Sequence, residues 1–296
     1  MNLAPLRIQS LQHPREKRTY NVPIFSAIQF SEYLDRHQQS VATRYVLNIG
    51  AHDGVSWNDP TYPFFQAGYH GLAIEGGENQ DLYKNLPSPD IKKLTRCVLT
   101  PLNVADILSQ NQVPKNLDFL KLDIDGYDGP LLTEILKAGY RPRLLQIEVN
   151  PEIPPPFEFS VMYHPNYRTQ DKRGCYTGFY GMSTAYAARI AREFGYHVLC
   201  FDFVTEGAHD LILAQNDLAD VLGSDKSLDP GAIRQRYLEH PLPAHLHFLE
   251  HGINSFTWRY RTDYPALAPE IWHSCVYVGA QKHDNKPSPI YFSTSI

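Results

Sequence analysis

Cysteine is scarce in this chain. There are four in 296 residues, Cys97, Cys175, Cys200 and Cys275, far apart and with no CxxC pair. That spacing argues against a zinc knuckle and against a disulfide-stapled secreted scaffold, and it fits reduced thiols in a cytoplasmic protein. Long apolar runs are missing too. Nothing approaches the ~20 residues needed to span a bilayer, and the N-terminus lacks the apolar core of a signal peptide. Positive charge is not in excess: 27 Lys and Arg face 32 Asp and Glu, for a net charge of −5. No global field therefore draws the chain to nucleic acid or an anionic membrane, and neither is expected as a partner. The GxSxG elbow, HExxH and the P-loop are also absent, which removes several hydrolase and kinase chemistries.

What is present is alternation. Apolar runs at Tyr45–Ile49, Gly71–Glu75, Ile91–Thr95, Leu117–Asp123 and Leu144–Val149 read as strands. Short helical segments separate them: a late-starting one within Trp57–Gln66, then Asn79–Asn85, Val104–Gln110 and Pro130–Ala138, the last ended by Gly139. Parallel strands need such crossovers, so the pattern predicts a doubly wound α/β sheet. It breaks at Pro151–Tyr180, which has four prolines in its first six residues and many aromatics and reads as a structureless aromatic insert. Regularity returns with a helix at Ser183–Phe194 and strands at Tyr196–Phe203 and Asp210–Ala214, joined by a turn at Thr205-Glu206-Gly207. Residues 1–25 read as an extended arm and Ser26–His37 as a covering helix. Helical pieces are expected at Asp229–Leu238 and Pro243–Leu249, and the tail after Tyr264 has no clear assignment. The division is an N-terminal arm and helix (1–40), a central domain (41–222, insert 151–180) and a C-terminal extension (223–296).

Three groups of residues carry chemistry. The first is Gly50-Ala51-His52-Asp53-Gly54, directly after the first central strand. Its spacing is GxxxG rather than the GxGxxG of dinucleotide sites, which disfavours a nicotinamide oxidoreductase, and an acid precedes the second glycine. An acid there would repel a pyrophosphate and suits a ligand with an amine. With Glu75 ending the next strand as a ribose acceptor, the pair fits S-adenosylmethionine, held by Gly50, Ala51, Asp53, Gly54 and Glu75. A plain strand-to-helix turn is the alternative. The second group is Asp123, Asp125 and Asp128 after one strand, with Glu148 and Asn150 at the end of the next. Asp123, Asp125, Glu148 and Asn150 offer hard oxygen ligands for Mg2+ or another divalent metal, which would lower the pKa of a bound hydroxyl. Alternatively, Asp123 touches the cofactor amine and the other acids cap loops. The third is His164 in the insert, a general base if it folds over the site and otherwise a surface histidine.

The order of these motifs resembles the FkbM-like family of S-adenosylmethionine-dependent methyltransferases. The matching stretches are Val46–Gly54, Gly71–Glu75, Asp118–Asp128 and Leu145–Pro151, within about residues 44–215. Gly181-Met182-Ser183 opening a helix and Gly195-Tyr196 opening a strand are also similar. The resemblance implies a Rossmann-like, seven-stranded methyltransferase fold, mostly parallel with its last strand antiparallel. Around it would sit the aromatic-rich insert and a helical C-terminal extension. It implies methyl transfer, mostly to hydroxyl oxygens of small secondary metabolites or sugars. Gly50, Asp53 and Gly54 would line the methionine and ribose side, Glu75 would bind the ribose, and Asp123 would sit by the sulfonium. Asn48 departs from the pattern, since many methyltransferases end this strand in an acid. Catalysis is expected of Asp123, Asp125, Glu148 and His164. A noncatalytic binding module of the same fold, or methylation at nitrogen or carbon, are the rival readings, and a homodimer is compatible with either.

Overall fold

A computed structural model describes residues 6–12, 19–25, 27–28, 31, 43–56, 59–165, 180–203, 209–218, 230–238, 258, 261–282 and 290–293. The strands, in chain order, are β1 (Leu6–Gln12), β2 (Thr19–Phe25), β3 (Tyr45–Ile49), β4 (His70–Ile74), β5 (Ile91–Leu94) and β6 (Phe119–Leu122). They continue as β7 (Leu144–Val149), β8 (Glu158–Val161), β9 (Tyr196–Phe203), β10 (His209–Gln215) and β11 (Ile290–Ser293). The helices are α1 (Tyr62–Gln66), α2 (Gln80–Asn85), α3 (Val104–Gln110), α4 (Asp128–Lys137), α5 (Thr184–Glu193), α6 (Pro230–Leu238) and α7 (Tyr264–Lys282).

Seven strands form the central sheet in the order β5-β4-β3-β6-β7-β10-β9. The pairs from β5 to β7 are parallel, and β10 runs antiparallel to both its neighbours. This is the Rossmann-like architecture the alternation predicts, with its last sheet strand reversed. The order turns back between β3 and β6, and such switch points open a crevice at the carboxyl ends of the strands. Two apolar layers clothe the sheet. Leu47, Leu72, Leu120, Leu145 and Leu213 face one layer with Leu131, Ile135 and Ile190. Val46, Ala73, Phe119, Leu144 and Ala214 face the other with Phe64, Phe65 and Leu82. Alternate residues of each strand thus enter opposite cores, as the twofold period of a strand requires.

Glycine matters where the sheet meets its cover. Gly71 has no room for a side chain, because an added Cβ would lie 2.4 Å from the Val46 carbonyl and 2.6 Å from the Phe65 ring. α2 begins at its cap Asn79, whose side chain accepts from the Asp81 N–H. α4 starts at Asp128, two residues before Pro130, so the proline sits in the first turn where its missing N–H costs nothing.

Two assignments of the sequence reading change. The first part of the insert is not structureless: Glu158–Val161 is a strand, paired antiparallel with Ile290–Ser293 from the tail. Ile153, Phe157, Phe159 and Val161 bury fully against Trp258, Leu267 and Ile271. The tail is ordered as helix α7 and strand β11, so the C-terminal extension is not only helical. The prolines at 154–156 form the turn before the new strand and do not mark an irregular stretch throughout. The N-terminal arm is extended, as expected, and β1 and β2 pair with each other, β2 lying beside β9. The helix expected at Pro243–Leu249, the turn at 205–207, the insert residues 166–179 and most of Ser26–His37 lie outside the described residues. Ala27, Ile28 and Ser31 are helical. Among the described residues no helix is long and apolar enough to cross a membrane.

The insert is tied to α5 through Ser183. Its Oγ accepts the Tyr186 N–H at 3.3 Å as the helix cap and the Phe159 N–H at 3.0 Å, and it donates to the Phe157 carbonyl at 2.8 Å. Replacing Ser183 by Ala leaves these buried backbone groups without that partner. We expect Ser183→Ala to lower the unfolding free energy in urea titrations by ~2 kcal/mol. A loss under ~0.5 kcal/mol would show that the insert is held in place without it.

Candidate functional site

The crevice at the switch point is built by four strand ends. Gly50 follows β3 in the left-handed region (φ 79°), and a Cβ there would lie 1.6 Å from the Asp123 carbonyl. Only glycine lets the β3 and β6 chain ends come this close. The Gly50 and Ala51 N–H groups both donate to the Ile74 carbonyl at 3.0 Å, which draws the loop against the end of β4. Glu75 closes that junction. Its carboxylate accepts the His52 N–H at 2.8 Å and the Gly77 N–H at 2.7 Å, so it grips the loops after β3 and β4 together. An ionised carboxylate has about four acceptor positions, so capacity remains for a ligand's hydroxyls.

Asp53 plays a part different from the one the sequence suggested. Its oxygens accept from Val55 N–H, Ser56 N–H and the Ser56 hydroxyl at 3.0, 2.7 and 2.5 Å. Partial burial raises its pKa, and these bonds outweigh that, holding it at about 2. The acid of the GxxxG loop therefore caps its own turn, and shapes the loop rather than presenting a free charge to an amine. His52 is exposed beside it. Asn48, near the end of β3, donates its amide to Asp59 at 2.8 Å and to Thr61 at 2.9 Å.

Asp123, Asp125 and Glu148 come together: one ligand oxygen from each lies within 4.8 Å of the others. Asp125 adopts a positive φ of 53°, in the short loop that turns from β6 into α4. Glu148 is buried, at 9% exposure, and its Oε2 has no hydrogen-bond partner among the described residues. Burial, then Asp123, Asp125, Asp128 and Asp210, push its pKa well above the carboxylate range. A desolvated acceptor oxygen facing two other carboxylates fits a hard cation, and Mg2+ or Mn2+ suit an all-oxygen donor set. Asn150 donates its amide to the Tyr180 carbonyl and accepts from Glu152 N–H, so it ties together the loops around the site. His164 is not in the trio. It is exposed at the end of the described insert, next to Tyr163, whose ring meets Tyr127 edge-on at 5.0 Å. Asp128 is fully buried, accepts Ile124 and Gly126 N–H at 2.9 Å, and has its pKa raised to about 7, chiefly by burial.

Several functional residues escape a motif search. Lys121, buried in β6, donates to the Gly50 carbonyl at 2.7 Å and pairs with Asp123 at 2.9 Å. Burial lowers its pKa, but the carboxylates of Asp123, Asp59 and Asp210 reverse this and leave it above the usual lysine range. Asp210 stands opposite Glu148 on β10 and accepts from Gln146 at 2.6 Å. The Tyr180 hydroxyl is held neutral by burial and by Glu148, Glu152, Asp125 and Asp123. The available signal was a lysine and a glutamine inside otherwise apolar strands. Register places Asn48, Lys121 and Gln146 in one row across the sheet, directly below Asp123 and Glu148.

No protein-family model and no curated protein matches the sequence. Solved structures resemble it distantly. A candidate hemolysin from Lactococcus lactis is 13% identical, with TM-score 0.44 over 72% of this chain and 95% of that one. A protein of the NADB-Rossmann superfamily from Streptococcus agalactiae is 14% identical, with TM-score 0.36 over 89% of this chain and 94% of that one. The magnesium protoporphyrin IX methyltransferase of Synechocystis PCC 6803, solved with bound SAM, is 10% identical, with TM-score 0.36 over 64% of this chain and 77% of that one. These values assign no activity to the chain, and its fold rests on its own strand order.

The crowded carboxylates make stability depend on pH. An acid whose folded pKa exceeds its unfolded value holds its proton more tightly when folded, so stability falls as pH rises between the two values. For Asp128 that window runs from 3.8 to about 7, and Glu148 acts in the same direction from 4.5 upward. Asp53 acts oppositely, its contribution being lost as pH falls from 3.8 to about 2. In EDTA the protein should unfold more easily at pH 8 than at pH 5. Glu148→Gln should be at least tenfold more stable than wild type at pH 8, ~1.4 kcal/mol in urea titrations. Equal or lower stability of the variant at pH 8 would contradict a strained carboxylate at this position.

Proposed function

We propose that the chain is an S-adenosylmethionine-dependent methyltransferase acting on a hydroxyl oxygen of a small acceptor, with a divalent metal beside the cofactor. Methyl transfer to a hydroxyl is the chemistry that the resemblance to the FkbM-like family implies, and the metal is read from the acid cluster alone. The observation that carries it is the juxtaposition, at one switch point, of two half-sites. One is the glycine loop gripped by Glu75, and the other is a carboxylate trio with a buried Glu148 oxygen that has no hydrogen-bond partner among the described residues. The residues fit both groups. On the cofactor side, Gly76 leaves open space above the backbone after Glu75, next to Val98, an apolar side chain 59% exposed. A carboxylate with spare acceptor capacity beside an uncovered apolar surface suits a nucleoside, with the ribose on Glu75 and the base over Gly76 and Val98. On the other side, Asp123, Asp125 and Glu148 would hold the cation.

When bound, the cofactor supplies an electrophilic methyl group, and the metal a charge that favours ionisation of a hydroxyl. The chain's task is to hold the acceptor oxygen in line with that methyl and remove its proton. Gly50 and Lys121 fix the loop beneath the methionine end. Burial and the neighbouring carboxylates favour a proton on Glu148, and a cation held by the trio would compete with that proton. Cation binding is therefore expected to weaken as pH falls. Tyr127 and Tyr163, meeting at the mouth of the β6 loop, form an aromatic wall for the acceptor, with His164 following as the proton acceptor of the insert. The acceptor is a small molecule, and the family's secondary metabolites and sugars are the class to test.

Isothermal titration with S-adenosylhomocysteine tests the reading. Wild type should bind it, and Glu75→Ala should weaken binding at least tenfold, ~1.4 kcal/mol, with the fold intact by circular dichroism. No heat of binding with wild type would overturn the proposal.

A further inference from the structure

We propose that Lys121 is a positioning residue that couples the two halves of the site, so that occupation of the carboxylate trio is felt at the cofactor loop. The inference rests on the methyltransferase reading above. One buried ammonium makes both contacts: 2.7 Å to the carbonyl of Gly50, the first residue of the loop, and 2.9 Å to Oδ2 of Asp123, a member of the trio. Its surroundings leave it little freedom. Lys121 lies in register between Asn48 on β3 and Gln146 on β7, and Asn48 is itself held by Asp59 and Thr61. The Gly50 backbone is pressed against the Asp123 carbonyl, so a shift at one strand end cannot be absorbed without moving the other.

The physical consequence has a sign. A cation placed among Asp123, Asp125 and Glu148 draws on the same Asp123 carboxylate that Lys121 holds, and it repels the ammonium. The ammonium's other partner is the Gly50 carbonyl, so its hold on the loop strengthens when the trio fills. A more firmly held loop has less conformational freedom to lose when the cofactor binds, and binding is tighter. By linkage the cofactor then tightens cation binding by the same factor. A lysine that merely neutralised a buried acid would stabilise the fold without producing this reciprocity.

The test uses the full chain, with Mn2+ as the cation and S-adenosylhomocysteine as the cofactor product, which lacks the sulfonium charge. Calorimetry gives the affinity for S-adenosylhomocysteine with and without saturating Mn2+. Electron paramagnetic resonance of free Mn2+ gives the reverse measurement. In wild type each ligand should tighten the other by about fivefold or more, equally in both directions. Lys121→Met should reduce the factor to within about twofold of unity, whereas Lys121→Arg, which keeps the charge, should retain part of it. If Lys121→Met does not fold, Lys121→Gln serves instead: it removes the charge shared between the Gly50 carbonyl and Asp123 while keeping a polar side chain and all three carboxylates, and should likewise abolish the coupling. If both ligands bind wild type independently, or if the coupling survives in Lys121→Met, the inference is overturned while the methyltransferase reading stands. If S-adenosylhomocysteine does not bind wild type at all, both fall.

Discussion

A single buried ammonium governs the geometry of this molecule's crevice. Lys121 sits in a central strand, where a charge is tolerated only if it is paired and hydrogen-bonded. It meets that condition by holding the Gly50 carbonyl and the Asp123 carboxylate. The rest of the site follows from that constraint. The strand ends β3 and β6 must touch, so residue 50 must be glycine. Asp123 is held at the base of the crevice, and Asp125 and Glu148 are drawn around it. Asp59, Asn48, Gln146 and Asp210 extend the polar row beneath, each with a partner supplied by a neighbouring strand or loop. The sheet is apolar on this face until the last turns of its strands, and polar at the crevice.

The same arrangement sets stability against readiness to bind. Glu148 faces Asp210 directly across β7 and β10, and like charges opposite one another destabilise a strand pair. Burial adds to this, and the pair is relieved by a proton or by a cation. Asp128, buried and accepting two backbone N–H groups, holds the loop that carries Asp123 and Asp125 in its sharp turn. The crevice is thus built with more negative charge than a stable fold needs, and a cationic ligand is the natural complement.

Much of this was legible in the residues, and the limits have physical reasons. β3, β7 and β9 are apolar runs bounded by turns, and their bounds match the pattern. The glycine loop, Glu75 and the trio were visible because strand-end acids and glycines stand out against buried strands. The roles of Asp53 and Asn150 were not, since a side chain's choice between a ligand and its own backbone is made by loop geometry. β8 was missed because its partner, β11, lies more than a hundred residues away, and a lone four-residue strand beside a proline turn has no local signature. α7 was hidden by Pro265 and Pro269. The first sits in the opening turn, where proline is tolerated, and the second lies inside the helix. Lys121 was in plain view within Phe119–Leu122, but its meaning depends on Gly50, which only the sheet order brings beside it.

In the proposed function, the glycine loop with Glu75 and the carboxylate trio are two halves of one site. Crystals soaked with S-adenosylhomocysteine and Mn2+, with diffraction recorded at the manganese edge, test it most directly. We expect an anomalous peak at metal–oxygen distances of about 2.0–2.6 Å from Asp123, Asp125 and Glu148, with ribose density against Glu75 in the same molecule. Ligand density elsewhere, or a trio without manganese while S-adenosylhomocysteine fills the loop, would contradict it.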